Sequence, residues 1–380
     1  MGTKNTIGQK DVTDRSKGAK KGRKIVILAL EVLLLVIMFG VLWVVTKVTD
    51  EDEGVKHVEI STDDIIINEG VKNPVNTDNA GETNAEAESV KKDKYRTIAL
   101  FGLDSTIGEL TKGTRSDTIM IASLNDETKE VRIMSVYRDT YLNLSNDTYN
   151  KCNSAYARGG AKQAINMLNM NLDLAITDFV AVGFKGVTDA VDAVGGIYID
   201  ISAAELEHIN NYQISIAENL KTTYTPIKET GYQKVNGLQA TAYCRIRHSD
   251  NDFKRTERQR EVLAAVLEEA RDLEITTLTK IVNDVLGDFY TSIDLDEIID
   301  LVSDLSSYTL VDEGGFPMKE YLTTGSLGKG VGDSVICTNL EAAVAELHKI
   351  FFDVEDYEPS DTVKEISDTI YKNTKAYVNY

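Results

Sequence analysis

Hydrophobic and polar positions divide the chain into a long apolar run, a polar stretch and a patterned body. Residues 25–45 read IVILALEVLLLVIMFGVLWVV, and Glu31 is the only charged residue among them. At about 1.5 Å per residue, a helix of this length crosses a hydrocarbon core about 30 Å thick. A buried helix of a globular domain would carry a polar stripe, which this run lacks. The pattern therefore predicts a transmembrane anchor at residues 25–47.

Charges on either side of this run predict its orientation. Residues 1–24 are strongly basic, whereas residues 50–53 read DEDE. Because positively charged flanks stay in the cytoplasm, we expect a cytoplasmic tail at 1–24 and an extracellular location for the chain beyond the anchor. A cleaved signal peptide is the alternative, but its apolar region would be shorter, about 7–15 residues, and would end at a small-residue cleavage site.

The chain changes character at residue 95. Residues 48–94 are acidic and rich in Asn, Glu, Thr and Gly, which predicts a largely disordered stalk. From residue 95 onwards, short β-rich runs alternate with helical patterns. The β-rich runs are TIALFGLD (97–104), SDTIMIASL (116–124), EVRIMSVYRD (130–139), DFVAVGF (178–184) and GIYIDIS (196–202). The helical patterns are GGAKQAINMLNMNL (159–172), FKGVTDAVDAVGG (184–196), VNGLQATAYC (235–244) and RTERQREVLAAVLEEARDL (255–273).

This alternation predicts an α/β fold with a mixed central sheet flanked by helices. We expect the main domain at residues 95–275. Further helical patterns, such as TNLEAAVAELHKIFF (338–352), predict a C-terminal helical part at 276–380 that packs on the same domain. The stretch 205–232 is polar and weakly patterned, and we interpret it as an insertion or loop.

Composition limits the classes of partner. The formal net charge is −20 at pH 7, although the first residues are basic. A body this acidic excludes nucleic acid as a general surface partner. Any cluster of arginines inside it therefore needs a local explanation.

The cysteines leave two interpretations open. Three cysteines are too few for a disulfide-built scaffold, so the body must fold on its own core. If the segments around Cys152 and Cys244 are extended, alternation points Asn153 and Arg245 towards one site and turns both cysteines to the opposite face. The two thiols would then form a disulfide, or would pack separately as small apolar side chains. Cys337 stays unpaired in either case.

Two carboxylates stand at predicted strand ends. Asp104 closes TIALFGLD, and Asp117 opens the next strand after the polar loop ELTKGTRSD. Strand ends in open α/β sheets form ligand crevices, and oxygen ligands suit Mg²⁺, which retains several waters. The alternative is that both are ordinary turn or cap residues.

Arginines recur in four separate segments of this acidic body. A guanidinium group binds phosphate through two parallel hydrogen bonds, and a helix N-terminus adds backbone N–H groups. A pocket for phosphate therefore explains the group better than a solvated basic face with ordinary salt bridges. The residues are Arg115; Arg138 with Asp139; Arg245 and Arg247, which share a face if YCRIR is extended; and Arg255, Arg258 and Arg260, with Asp252 and Gln259 among them.

Seven ordered blocks between residues 95 and 275 closely resemble the LytR-CpsA-Psr family of Gram-positive bacteria. The blocks are FGLD (101–104), TRSDTIM (114–120), SVYRDTY (135–141), NKCNSAYARGG (150–160), VDAVGG (191–196), VNGLQATAYCRIR (235–247) and DFKRTERQR (252–260). The resemblance implies a phosphotransferase that moves a glycopolymer from an undecaprenyl-pyrophosphate carrier to peptidoglycan, with Mg²⁺, outside the membrane. A lipid pyrophosphatase and a non-catalytic envelope sensor or attenuator are the alternative functions.

The resemblance also implies a role for each motif residue. Asp104 and Asp117 would bind Mg²⁺, and Asp252 would be the general base, with Asp139 as a second candidate. The residues that would hold the pyrophosphate are Arg115, Arg138, Arg245, Arg247, Arg255 and Gln259. The polyprenyl chain needs an apolar tunnel, and helices 161–170 and 259–271, together with DFVAVGF, carry enough apolar side chains to line one. Ordinary hydrophobic core is the alternative for each of these side chains.

Overall fold

The computed structural model describes residues 56–71 except 59, 95–105, 110–125, 127–247, 252–270, 273, 277, 288–293, 309–328 and 330–380. The predicted cytoplasmic tail and transmembrane anchor lie outside these residues. Within the described ranges, no helix has the length and apolar character required to cross a membrane.

A mixed seven-stranded sheet forms the centre of the domain. The described strands are β1 Lys56–His57, β2 Tyr95–Leu103, β3 Ser116–Asn125, β4 Glu130–Val136, β5 Tyr141–Asn143, β6 Tyr149–Lys151, β7 Asp178–Val182, β8 Ile197–Ile201, β9 Gly231–Val235, β10 Phe289–Thr291, β11 Thr309–Phe316, β12 Leu322–Ser326 and β13 Asp333–Cys337. The sheet has the order β1-β10-β7-β2-β3-β4-β11. Strand β2 pairs antiparallel with β3 and parallel with β7, which confirms the predicted mixed sheet.

Helices cover both faces of this sheet. The described α-helices are α1 Ser154–Leu172, α2 Phe184–Ala193, α3 Ala203–Leu220, α4 Gly237–Tyr243, α5 Asp252–Ala270, α6 Leu340–Phe352 and α7 Asp361–Thr374. Alternation along β2 sends Ile98 to one face and Phe101 to the other. The first face packs against α2, α3, α4 and α5, and the second against α1, α6 and α7.

Helix α3 shows that the loop predicted for residues 205–232 is wrong over its first part. Ser202 caps this helix and forms a capping box with Glu205. Ile209, Gln213 and Ile216 are buried at helical spacing. The polar Gln213 in the buried stripe hid the apolar periodicity on which the prediction depended.

The N-terminal segment 60–71 packs on the domain, so the prediction of a disordered stalk is wrong for these residues. The backbone N–H of Ile66 donates to Asn166 Oδ1 at 2.8 Å. The Asn68 amide donates to the carboxylate of Asp173 at 2.6 Å and to the Met170 carbonyl at 2.9 Å. Hydrogen bonds to buried groups and the packing of Ile60 and Ile65 against the core hold this segment on the domain. The hydrogen bonds give no signal in the hydrophobic pattern of the sequence.

Residues 276–380 contribute more than helices to the domain. Strand β10 pairs with β7, and β11 pairs with β4, so both are part of the central sheet. Helices α6 and α7 then bury Val344 and Ile366 in the core of the second face. The C-terminal part is therefore an integral part of the same fold.

Of the two interpretations left open for Cys152 and Cys244, the disulfide is wrong and separate packing is correct. Both thiols are free, and Cys152 lies in the core of one sheet face whereas Cys244 packs on the other. The prediction failed because YCRIR is not extended: Tyr243 ends α4, and Cys244 is its C-cap in a helical conformation.

Candidate active site

Asp117 lies at the centre of a charged cluster at one end of the sheet. The antiparallel pairing of β3 with β4 brings the start of one strand beside the end of the other. Arg138 Nη1 donates to Asp117 Oδ1 at 2.6 Å, and Arg247 Nη2 donates to Asp117 Oδ2. One carboxylate therefore joins arginines from two separate motif blocks.

Arg255 ties the first turn of α5 to the same cluster. Its side chain is 1% exposed. Its Nη2 donates to the Asp117 carbonyl at 3.1 Å and to Asp252 Oδ1 at 2.7 Å. The Nε of Arg138 lies 3.4 Å from the same Asp252 oxygen. Asp252 and Asp117 thus share two arginines.

Burial and neighbouring charges compete in setting the ionisation of this cluster. Burial opposes the ionisation of Asp117, but Arg138 and Arg247 outweigh it and lower the pKa of Asp117 below its ordinary value. Burial also lowers the pKa of Arg255 to about 10, although Asp252 favours its charged form. Both groups are therefore charged at neutral pH.

Asp252 has the opposite shift. Burial raises the pKa of its carboxyl above the ordinary value, and Arg255 and Arg138 counteract this only in part. Its Oδ2 is buried and has no hydrogen-bond partner among the described residues. One oxygen is therefore held by arginine and the other is free to accept a proton, which suits a general base.

Asp139 lies beside this pair. Its Oδ2 is 3.5 Å from Arg138 Nε, and its Oδ1 is 3.0 Å from Lys151 Nζ. Asp139 therefore contacts the cluster through Arg138 and Lys151. Lys151 was not predicted as a member of the cluster, although it stands in the NKCNSAYARGG block.

Arg245 and Gln259 border the cluster on its apolar side. The expected extended segment YCRIR is instead a turn after α4, yet Arg245 and Arg247 both line the cavity described below. Gln259 Nε2 lies 3.5 Å from the Cys244 carbonyl oxygen. Its Oε1 and the Nη1 of Arg245 are buried without hydrogen-bond partners among the described residues.

Asp104 and Arg115 lie at the rim, and both residues are exposed. The Asp104 N–H donates to the Arg115 carbonyl at 3.2 Å, directly after the Leu103–Ser116 pair of the sheet. The described residues give neither side chain an ion pair. No group of three or more His, Cys, Asp or Glu in the described part of the chain is arranged to hold a metal ion.

Two further arginines that were candidates for the phosphate pocket lie outside the site. Arg258 pairs with Glu205 at 2.7 Å, and Arg260 pairs with Asp312 at 2.6 Å. Their place on α5 points them away from Asp252, so the ordinary salt-bridge interpretation holds for both.

An apolar cavity of about 190 Å³ opens beside the arginines. It runs between the sheet and helices α2, α4 and α5. Helix α5 and the DFVAVGF segment line it as predicted, but α1 lies on the opposite face of the sheet, so the expectation that 161–170 lines it is wrong. The lining includes Leu100, Met120, Val182, Phe184, Val187, Cys244, Val262, Leu263 and Val266.

The model of the LytR_cpsA_psr family matches residues 65–325, which is more than half of the chain. The chain belongs to this family. The resemblance seen in the motif blocks is thereby confirmed, and the matched region contains every residue of the candidate site.

Two relatives of the LytR_cpsA_psr family illustrate the sequence similarity. Biofilm regulatory protein A of Streptococcus mutans is 31% identical over 61% of this chain and 60% of its own length. The polyisoprenyl-teichoic acid–peptidoglycan teichoic acid transferase TagU of Halalkalibacterium halodurans is 31% identical over 54% of this chain and 64% of its own length. The chain thus matches less than two thirds of either relative.

Solved structures share the fold. Protein gbs0355 of Streptococcus agalactiae has a TM-score of 0.56 and 26% identity, covering 73% of this chain and 95% of that one. TagT of Bacillus subtilis has a TM-score of 0.52 and 18% identity, covering 84% and 100%. The mixed sheet flanked by helices is therefore the fold of this family.

Proposed function

We propose that this chain is a Mg²⁺-dependent phosphotransferase that moves a glycopolymer from an undecaprenyl-pyrophosphate carrier to peptidoglycan on the outer face of the membrane. The name of the relative TagU describes a transfer from a polyisoprenyl carrier to peptidoglycan, which supports this choice. The basic tail and acidic flank of the predicted anchor support the outer location.

The observation that carries the proposal is the junction between the apolar cavity and the arginine cluster. Arg245, Arg247 and Arg255 line the same cavity as the apolar side chains of α2 and α5. A ligand that fits both surfaces has a long apolar chain and an anionic head. A polyprenyl pyrophosphate has this chemistry.

The reaction assigns a task to each part of the cluster. Arg138, Arg247 and Arg255 would bind the pyrophosphate oxygens and neutralise the charge that develops during transfer. The free oxygen of Asp252 would accept the proton of the attacking sugar hydroxyl. The hydroxyl oxygen forms a bond to the phosphorus that carries the glycopolymer, and the bond from that phosphorus to the polyprenyl phosphate breaks.

Asp104 and Asp117 fit a hard cation that keeps several waters. Asp104 follows the last residue of β2 and Asp117 lies near the start of the antiparallel β3, so both lie at the same edge of the sheet. The lowered pKa of Asp117 keeps it ionised as a ligand. Arg138 and Arg247 donate to the Asp117 carboxylate oxygens in this structure. When substrate binds, the two arginines would donate to phosphate oxygens instead, and the Asp117 oxygens would be available to the metal ion. A bound Mg²⁺ would supply charge neutralisation at the phosphates.

A reconstituted assay tests the function. Purified full-length chain is mixed with a lipid-pyrophosphate-linked oligosaccharide, Mg²⁺ and peptidoglycan chains, and Asp252→Asn serves as the inactive control. We expect sugar attached to the glycan. Release of phosphate without attached sugar would select a pyrophosphatase, and the absence of both products would select a sensor.

A further inference from the structure

The arginines of the site fall into two electrostatic classes. Arg138 and Arg247 donate to Asp117, and Arg255 donates to Asp252. Each of these three arginines therefore donates at least one N–H group to a carboxylate of the protein. Arg115 and Arg245 have no carboxylate partner among the described residues, but of these two only Arg245 lines the cavity. The Nη1 of Arg245 is buried without a hydrogen-bond partner there.

Two aromatic rings hold Arg245 instead. Its guanidinium carbon lies over the Phe184 ring, 4.4 Å from the centroid. It also lies over the Tyr212 ring, 5.4 Å from that centroid. Phe184 begins α2 and lines the apolar cavity, whereas Tyr212 comes from α3 and is half-buried.

Aromatic stacking and carboxylate pairing leave a guanidinium in different states. A ring attracts the cation through its face, whereas the N–H donors of arginine lie in the plane of the group. Stacking therefore fixes the position of Arg245 without using its donors. A carboxylate in the same place would neutralise the charge and occupy those donors.

We propose that Phe184 and Tyr212 are positioning residues that hold Arg245 at the cavity mouth as the first receptor for the anionic head of the substrate. Arg245 is able to bind an arriving pyrophosphate with its charge unneutralised, whereas Arg138, Arg247 and Arg255 are each paired with a carboxylate of the protein. The inference rests on the proposed pyrophosphate substrate.

In this role, α3 helps to position Arg245 in the site. The helix packs closely against α4, which ends one residue before Cys244 and two before Arg245. Glu205 of α3 also pairs with Arg258 of α5. Helix α3 is thus joined to the two elements that carry Arg245 and Asp252, and Tyr212 is its contact with the guanidinium.

Tyr212 is the better residue for a test, because Phe184 also lines the cavity. Binding of geranyl pyrophosphate, a short isoprenoid pyrophosphate, is measured by calorimetry on the full-length chain at low salt. We expect Tyr212→Leu to raise Kd about three- to thirtyfold. Tyr212→Phe keeps the ring and should stay within about twofold of the unmodified chain, since the π face carries the attraction. Tyr224→Leu, which changes an exposed tyrosine, is the matched control.

A double-mutant cycle separates positioning from a general loss of structure. In an Arg245→Ala background, Tyr212→Leu should cause no further loss of binding. Equal Kd values for Tyr212→Leu and the unmodified chain, or an undiminished effect in the Arg245→Ala background, would overturn the inference while leaving the proposed function intact. If the unmodified chain itself fails to bind the probe, the proposed substrate and the inference both fall.

Discussion

Asp117 and Arg138 are joined by a hydrogen bond of 2.6 Å at the open end of the β3–β4 pair, although they are 21 positions apart in the chain. The last paired residues of the two strands at this end are Met120 and Ser135. Asp117 lies near the start of β3, and Arg138 lies in the turn that follows β4. The strand pair therefore brings the two segments together, and such placement suits a reaction that depends on positioned charge.

Replacing Arg138 tests this charge placement. We expect Arg138→Ala to lower the rate of transfer by about 10²–10³, because a charge-assisted contact to the reacting phosphates is lost. Arg132→Ala is the matched control, since Arg132 lies on β4, the strand that leads to Arg138, but pairs with Glu130 and Asp353. Turnover under saturating lipid substrate is measured for both. A well-folded Arg138→Ala chain with near-normal turnover would contradict the charge-cluster model.

The pH dependence tests Asp252 as the base. Because burial raises the pKa of this carboxyl, it becomes protonated at a higher pH than an ordinary aspartate and then accepts no proton. We expect kcat to fall as pH is lowered through this raised pKa. Asp252→Asn should lower kcat by about 10²–10⁴ and abolish this limb of the profile.

Titration of Asp252 would not unfold the chain in acid, so unfolding caused by this residue cannot account for the expected fall of kcat at low pH. A pKa that is higher in the folded than in the unfolded chain makes its stability contribution fall as pH rises, not as pH falls. Circular dichroism at each pH checks the remaining carboxylates, including Asp117, whose lowered pKa makes the fold lose stability in acid. A limb that persists in Asp252→Asn would assign the base to another group, and Asp139 is the next candidate.

Metal binding tests the two strand-end carboxylates. We expect Asp104→Asn to weaken Mg²⁺ binding measured by calorimetry, with activity partly restored at high Mg²⁺. Asp104 is exposed and has no ion pair among the described residues, so its replacement should leave the melting temperature unchanged. Asp147→Asn, at another exposed aspartate, is the control. Activity that survives a chelator would show that both carboxylates have a structural role only.

Motif blocks predicted the members of the site better than they predicted its geometry. Asp117, Arg138 and Asp252 converge as expected because strand ends and helix starts meet at one edge of an α/β sheet. The turn at Arg245 was not predictable from alternation, since nothing in YCRIR marks Cys244 as a helix cap. Arg245 and Arg247 line the cavity from the segment that follows α4, and not from one face of a strand.

The side of the sheet that a helix covers was also beyond the sequence. Periodicity shows that α1 and α5 each have an apolar face, but it does not tell which face of the sheet each covers. Only the chain path decides that α5 lines the cavity and α1 does not. The same limit explains the wrong disulfide, because Cys152 and Cys244 lie on opposite faces.

The cavity gives a last prediction, which concerns the length of the lipid. Val187 lies on α2, lines the cavity and is half-buried, so a larger side chain there should fill space that the isoprenoid chain needs. We expect Val187→Trp to weaken binding of a long polyprenyl pyrophosphate at least about tenfold, which corresponds to about 1.4 kcal/mol. Geranyl pyrophosphate, which is shorter, should lose less affinity.

Met170→Phe on α1 is the control for this substitution, because α1 was expected from the sequence to line the tunnel but lies across the sheet from the cavity. It enlarges a half-buried side chain of the other core and should leave both affinities unchanged. Calorimetry with the two lipids on each variant gives four values. If Met170→Phe discriminates between chain lengths and Val187→Trp does not, the lipid occupies the other side of the sheet and the assignment of the cavity is wrong.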